Sequence, residues 1–175
     1  RIHTMKSLSI PGILLLASVS TQAGAPMIVA HRVASKDAPE NTIPAFELAW
    51  AQGADAIEGD FRLTKDGHIV CINDKDTKKV AGRKLVVAKS SLDELQQLDV
   101  GGNHGSAFKG TAIPTLEDVL ETIPGNKTIY IEIKCGKSIV PKLLHVLAES
   151  KIEPSQVVVI SFDEDVIKAL KAKAP

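Results

Sequence analysis

A single-domain α/β fold on a mainly parallel sheet is predicted from three observations. Strand-like and helix-like runs alternate from Met27 to the end of the chain. Acidic and basic residues gather at the C-terminal ends of the strand-like runs, where such folds place their sites. The 175 residues are 44% hydrophobic, which is one domain's worth of chain with apolar side chains enough for a core. Strand–helix–strand units in this order return to one sheet by right-handed crossovers.

The elements follow from local chemistry. Residues 27–30 read as a short buried strand ending at His31. Asn41-Thr42 supplies a helix N-cap, Pro44 sits in the first turn, and Ala45, Phe46, Leu48 and Ala49 form the apolar face of a helix ending near Gly53. Residues 56–63 alternate as a second strand, Lys65-Asp66-Gly67 marks a turn, and residues 68–73 return as the third strand of a hairpin. A looser stretch follows to about Thr115. It holds a basic run (Lys75, Lys78, Lys79, Arg83, Lys84) read as a solvated face, a short helix from Ser91, and the loop Gly101-Gly102-Asn103-His104-Gly105. Alternation then resumes with a helix capped by Thr115, a strand over 127–134, a helix over 140–150, a strand over 156–161 and a helix over 163–173.

Composition excludes several classes of function. Twenty-one Lys+Arg balance 21 Asp+Glu, so no concentrated positive charge points to nucleic acid or an anionic membrane. Two cysteines cannot build a disulfide scaffold, although a Cys71–Cys135 bridge stays open. The apolar run 10–19 after Met5-Lys6, followed by small residues, has the layout of a secretory signal with cleavage after Ala23. It is too short to span a membrane. The expected organisation is residues 1–23 as upstream residues and signal, then an exported domain over 24–175, periplasmic or extracellular.

The polar residues on strands carry the chemistry. Glu58 and Asp60, two apart, project from one face, and Glu132 repeats the pattern between isoleucines. Carboxylates gathered on apolar strands repel unless a cation neutralises them, and three suit a hard divalent ion such as Mg²⁺ or Ca²⁺. The alternative is plain ion pairing of Glu58 with Arg62 and of Glu132 with Lys134. His31 is placed to act as an acid or base, and Arg32 as a clamp for an anionic oxygen. Lys134, in phase with Glu132, adds a second cation, so the set suits a phosphate ester. A hairpin closed by a two- or four-residue loop would also turn Asn73 toward the carboxylates and His68 away.

Ala30-His31-Arg32, Pro39-Glu40-Asn41-Thr42, Ala45-Phe46, the run 53–60, Thr64-Lys65-Asp66-Gly67, Ile113-Pro114-Thr115-Leu116, Ile131-Glu132-Ile133-Lys134 and Ser161-Phe162-Asp163 together resemble the glycerophosphodiester phosphodiesterase family. The resemblance implies a TIM barrel, of which the N-terminal half is present, with a small insertion after the second barrel strand at about 68–112. It implies metal ligation by Glu58, Asp60 and Glu132, phosphate contacts from Arg32 and Lys134, and His31 as one of two catalytic histidines. The implied reaction is metal-dependent hydrolysis of a small-molecule glycerophosphodiester to glycerol 3-phosphate and an alcohol. Two positions depart from the pattern. Asn73 stands where the family has its second catalytic His, and Val33 where a Gly usually follows His-Arg. An amide neither gives nor takes a proton near neutral pH, so reduced activity is expected. A phosphodiester-binding pseudoenzyme and a gene fragment are the rival readings. The inferred barrel normally needs about 250 residues. A half barrel would expose sheet edges at 27–30 and 156–161 and invite self-association.

Overall fold

The computed structural model describes residues 26–173; the predicted signal segment lies outside the described residues. Five strands form one sheet: β1 (Val29–Ala30), β2 (Ala56–Leu63), β3 (Ile69–Cys71), β4 (Thr128–Ile133) and β5 (Val157–Ile160). β1, β2, β4 and β5 run parallel in that spatial order, and β3 pairs antiparallel with β2. Among the described residues there are six α-helices: α1 (Ile43–Ala51), α2 (Lys78–Ala81), α3 (Leu92–Gln96), α4 (Leu116–Glu121), α5 (Val140–Glu149) and α6 (Glu164–Lys171). No helix among the described residues is long and apolar enough to cross a membrane.

Side-chain alternation gives the sheet two unlike faces. Ile57, Phe61, Ile129, Ile131 and Ile133 are buried in the main core with Phe46 of α1, Leu116 and Val119 of α4, and Leu143 and Val146 of α5. Gly59 lies on this face in tight packing: a Cβ there would come within 3.1 Å of the Phe46 ring, which would have to give by a few tenths of an ångström. The opposite face carries Glu58, Asp60 and Glu132 in register, with Asp60 directly across from Glu132. On that face the outer strands leave apolar side chains in water, among them Val29 (40% exposed), Val158 (36%) and Ile160 (36%). The two free edges are those expected, β1 and β5.

Caps set the helix starts. Ser91 and Thr115 form reciprocal capping boxes with Glu94 and Asp118, and Asp163 caps α6. Thr42 occupies the N-cap of α1 but does not cap with its side chain; its hydroxyl donates to the Pro39 carbonyl at 2.6 Å. Between β3 and α4 the chain builds a second small core from Val70, Ile72, Val87, Leu95, Val100 and Ile113.

The hairpin corrects one expectation. Phe61 pairs with Cys71 and Leu63 with Ile69, so five residues, 64–68, separate the pair that closes the hairpin. Odd residues therefore face odd residues along β3, and Val70 shares the face of Glu58 and Asp60 while Ile69 and Cys71 do not. The longer loop is stabilised from within. Asp66 accepts from the Thr64 hydroxyl at 2.6 Å and from the Leu92 N–H at 3.2 Å, tying the turn to α3.

The Thr64 hydroxyl, followed by the Leu92 N–H, holds the Asp66 carboxyl down to about 2. Its folded value lies below the usual 3.8, so its stabilising effect is complete above that pH and is lost as pH falls toward 2. Asp66→Asn should lower the melting temperature at about pH 6, and the gap from the parent should close as acid is added. A gap that is constant with pH would contradict this.

Candidate functional site

The site is assembled from four stretches of chain: the end of β1, the loop before α1, the middle of β2 and the end of β4. Glu58, Asp60 and Glu132 are buried, at 4%, 0% and 7% exposure. Each offers a carboxylate oxygen such that the three lie within 4.8 Å of one another. That span fits oxygens gathered around one cation at about 2.1–2.5 Å. Two further observations test the fit. Glu58 Oε1 and Asp60 Oδ1 are buried without a hydrogen-bond partner, which is costly unless something positive meets them. Burial also raises the Glu58 carboxyl above its usual value, opposed by the Arg32 N–H and reinforced by the neighbouring Asp60 charge. A raised carboxylate costs folding stability once ionised, and a divalent cation would offset that cost. The donor set and its environment fit a hard divalent cation.

Two protein cations close on the same carboxylates. Arg32 Nε lies 3.5 Å from Asp60 Oδ2, and Lys134 Nζ lies 3.6 Å from Asp60 Oδ1 and 2.9 Å from Glu132 Oε1. The ion pair expected between Glu132 and Lys134 is present, whereas no Glu58–Arg62 pair forms. Arg62 Nε instead donates to the Asn73 carbonyl at 2.9 Å. His31, with 72% of its side chain exposed, points Nε2 to within 3.9 Å of Glu58 Oε2, so it stands at the open rim of the carboxylate cluster.

The backbone between His31 and Ala34 is strained. Arg32 and Val33 have φ of 48° and 63°, a region that a β-branched residue rarely enters. The conformation brings the Arg32 N–H to Glu58 Oε2 at 2.7 Å. A glycine would adopt it freely, which is the physical sense of the family's Gly at position 33. Burial of Val33 at 4% exposure holds the turn against a cost of order ~1–3 kcal/mol.

Asn73 lies two residues past the end of β3, so the register of the hairpin does not set where its side chain turns. Its side-chain nitrogen is buried without a partner, and the residue lines a small cavity with Glu40, Asn41, Cys71 and Ile72. Among the hydrogen bonds of the described residues, none joins its amide to Glu58, Asp60 or Glu132. Cys71 and Cys135 are both free thiols, which closes the disulfide question. His104 lies exposed in a short 3-10 turn, outside the carboxylate cluster.

The residue that sequence reasoning missed is Asn41. Read as part of a helix cap, it instead clamps Asp60 from two sides: Nδ2 donates to Asp60 Oδ2 at 2.9 Å, and Oδ1 accepts from the Asp60 N–H at 3.1 Å. The Cys71 thiol donates to the same Oδ1 at 3.3 Å. Asn41 is buried at 3% and has φ of 59°, a conformation that asparagine tolerates better than most residues. Two adjacent polar residues before a helix, Asn41-Thr42, were the available signal, since only one can be the N-cap. Phe162, in the motif Ser161-Phe162-Asp163, stands near the same site. It is 95% exposed, and Lys134 Nζ lies 5.7 Å from its ring centroid.

Asn41→Ala removes both ends of the clamp and leaves the Asp60 N–H buried without a partner. It should cost about 1–3 kcal/mol in a urea unfolding experiment. A loss near zero would show that Asp60 is held by its cations alone.

Comparison with known proteins agrees with this geometry. The model of the glycerophosphoryl diester phosphodiesterase family matches residues 31–175. The glycerophosphodiester phosphodiesterase of Caldanaerobacter subterraneus subsp. tengcongensis is 40% identical over 155 residues, covering 85% of this chain and 63% of that protein. One from Bacillus subtilis is 31% identical over 155 residues, 79% of this chain and 53% of that protein. The chain therefore spans less than two thirds of these relatives' length. Among solved structures, a glycerophosphodiester phosphodiesterase from Agrobacterium tumefaciens superposes with a TM-score of 0.78 at 33% identity, over 86% of this chain and 64% of that one. A phosphodiesterase from Oleispira antarctica, solved in complex with the product sn-glycerol-3-phosphate, superposes at 0.80 with 29% identity, over 86% and 63%. The parallel sheet with its carboxylate face is thus part of a TIM barrel. With its sequence match running from His31 onward and its fold shared, this chain belongs to the glycerophosphoryl diester phosphodiesterase family.

Proposed function

We propose that this chain hydrolyses glycerophosphodiesters to glycerol 3-phosphate and an alcohol with the help of Mg²⁺ or Ca²⁺, and that Asn73 slows the reaction. The observation that carries the reading is the grouping of three buried carboxylates with two cations around Asp60. Family membership and the product held by the Oleispira relative support the reaction class. Charge supports the substrate class. Glu58, Asp60 and Glu132 against Arg32 and Lys134 leave one negative charge, and a divalent cation turns this into one positive. A phosphodiester monoanion then brings the site to neutrality.

In the reaction, water adds to phosphorus, the bond from phosphorus to the alcohol oxygen breaks, and one proton passes from the water to the departing alkoxide. Glu58, Asp60 and Glu132 would hold the cation, which when bound would supply Lewis-acid chemistry. Arg32 and Lys134 neutralise the phosphoryl oxygens and orient the ester. His31 moves a proton at Nε2, where its exposure at the rim gives access to substrate and solvent. Asn73 stands where the family carries a second proton carrier, so one of the two transfers is left to water. Loss of one such group typically slows a reaction about 10²–10⁴-fold.

Purified protein given glycerophosphocholine and Mg²⁺ or Ca²⁺ should release glycerol 3-phosphate slowly, detected by mass spectrometry, and Asn73→His should raise the rate by about 10²-fold or more. No product from either folded protein would overturn the reading. Binding of the diester by calorimetry without turnover in either would favour the pseudoenzyme, a reading that Asn73 motivates.

Export and self-association belong to the same proposal. The first is supported by the apolar run 10–19 and the small residues through Ala23, the second by the free edges of β1 and β5. Chain recovered from a periplasm or medium should begin at Gly24 and show a light-scattering mass above that of one copy. A cytosolic, uncleaved monomer would contradict both.

A further inference from the structure

The basic run after Asn73 reads from sequence as a solvated face, yet one of its members reaches the site. Lys79 Nζ donates to both oxygens of Glu40, at 2.8 and 2.9 Å, across 39 residues of chain. Glu40 immediately precedes Asn41, the clamp on Asp60, and its Oε2 lies 3.9 Å from Arg32 Nη1. Arg32 therefore stands between two carboxylates, Asp60 at 3.5 Å and Glu40 at 3.9 Å. Glu40 is 18% exposed, so it is not a freely hydrated surface charge. The chain on either side of Lys79 is anchored, while its side chain is 54% exposed. Thr77, fully buried at the start of α2, donates from its hydroxyl to the Arg83 carbonyl at 2.6 Å and accepts from the Leu85 N–H at 3.0 Å. Val80, the next residue after Lys79, packs on the second core.

We infer that Lys79 is a positioning residue that occupies Glu40 and so keeps the Arg32 guanidinium available to the substrate phosphate. The physical reason is competition. A partly buried carboxylate without a counter-charge draws in the nearest cation, and a guanidinium pairs with it through two parallel hydrogen bonds. With Lys79 on both Glu40 oxygens, Arg32 stays 3.9 Å from Glu40, beyond hydrogen-bond distance, and remains beside Asp60. Without Lys79, Glu40 takes Arg32 away from the phosphate. The segment between β3 and α4 thereby acts on the site, although it contributes none of the three carboxylates. This inference rests on the phosphate-binding role proposed above for Arg32.

Calorimetric titrations with sn-glycerol 3-phosphate in the presence of Ca²⁺, and with Ca²⁺ alone, test it. Lys79→Met should weaken sn-glycerol 3-phosphate about tenfold and leave Ca²⁺ affinity within about twofold of the parent. Lys79→Arg should restore binding, and so should adding Glu40→Gln to Lys79→Met, because a neutral amide no longer competes for Arg32. Lys84→Met, which removes a lysine paired with Asp76 at 3.8 Å, should bind like the parent. Unchanged sn-glycerol 3-phosphate binding in Lys79→Met, no recovery in the double variant, or a parallel loss of Ca²⁺ would each overturn the inference. If the parent binds no sn-glycerol 3-phosphate, the phosphate reading itself fails. The placement of Arg32 is then read from its ¹⁵Nε NMR signal, which should move in Lys79→Met and return in Lys79→Arg. An Arg32 signal indifferent to Lys79 would sink the inference.

Discussion

The carboxylate of Asp60 has no exposure to water, and a negative charge so placed must be met from within the protein. It is met by the Asn41 amide, by Arg32 and by Lys134, each from a different stretch of the chain. Much of what is unusual in the local structure serves that end. Asn41 takes a left-handed backbone to aim its side chain at Asp60, and the turn after His31 is left-handed through Arg32 and Val33. These departures from easy geometry cluster around one buried charge, the pattern expected where a site is organised at the expense of local comfort.

The parallel sheet converts that charge into a site. Register places Glu132 directly opposite Asp60, and Glu58 lies one alternation back on the same face. The other face of the same strands is purely apolar and packs against α1, α4 and α5, with Gly59 leaving space for the Phe46 ring. Each strand therefore holds a core on one side and a polar cluster on the other. Polar groups on the second side must satisfy one another or a ligand, and Glu58 Oε1 and Asp60 Oδ1 have no hydrogen-bond partner within the protein. Those two oxygens are the strongest structural argument for a cation.

The segment between β3 and α4 has its own small core, and its Phe108 packs against the main one. Through Lys79 and Glu40 it also reaches the guanidinium beside Asp60. Exposed ion pairs usually contribute little to stability. The interest of this one lies in where Glu40 stands, next to Asn41 and within reach of Arg32, not in how much it stabilises the fold.

Much of this was legible in the sequence, because hydrophobic period and caps are local. The strand over 56–63, the capped helix from Thr115, and the carboxylates sharing a face all follow from alternation and short-range hydrogen bonding. Family motifs in order carried the identity of the triad, His31, Arg32 and Lys134. Tertiary structure alone decided the rest. The parity of the hairpin turned on whether its loop held four residues or five, and that one residue put Val70, not Ile69 and Cys71, on the carboxylate face. The role of Asn41 and the reach of Lys79 depend on which loops meet in space. A residue's type and spacing state what it can bond to, but a partner 19 or 39 positions away is chosen only when the sheet brings the two together.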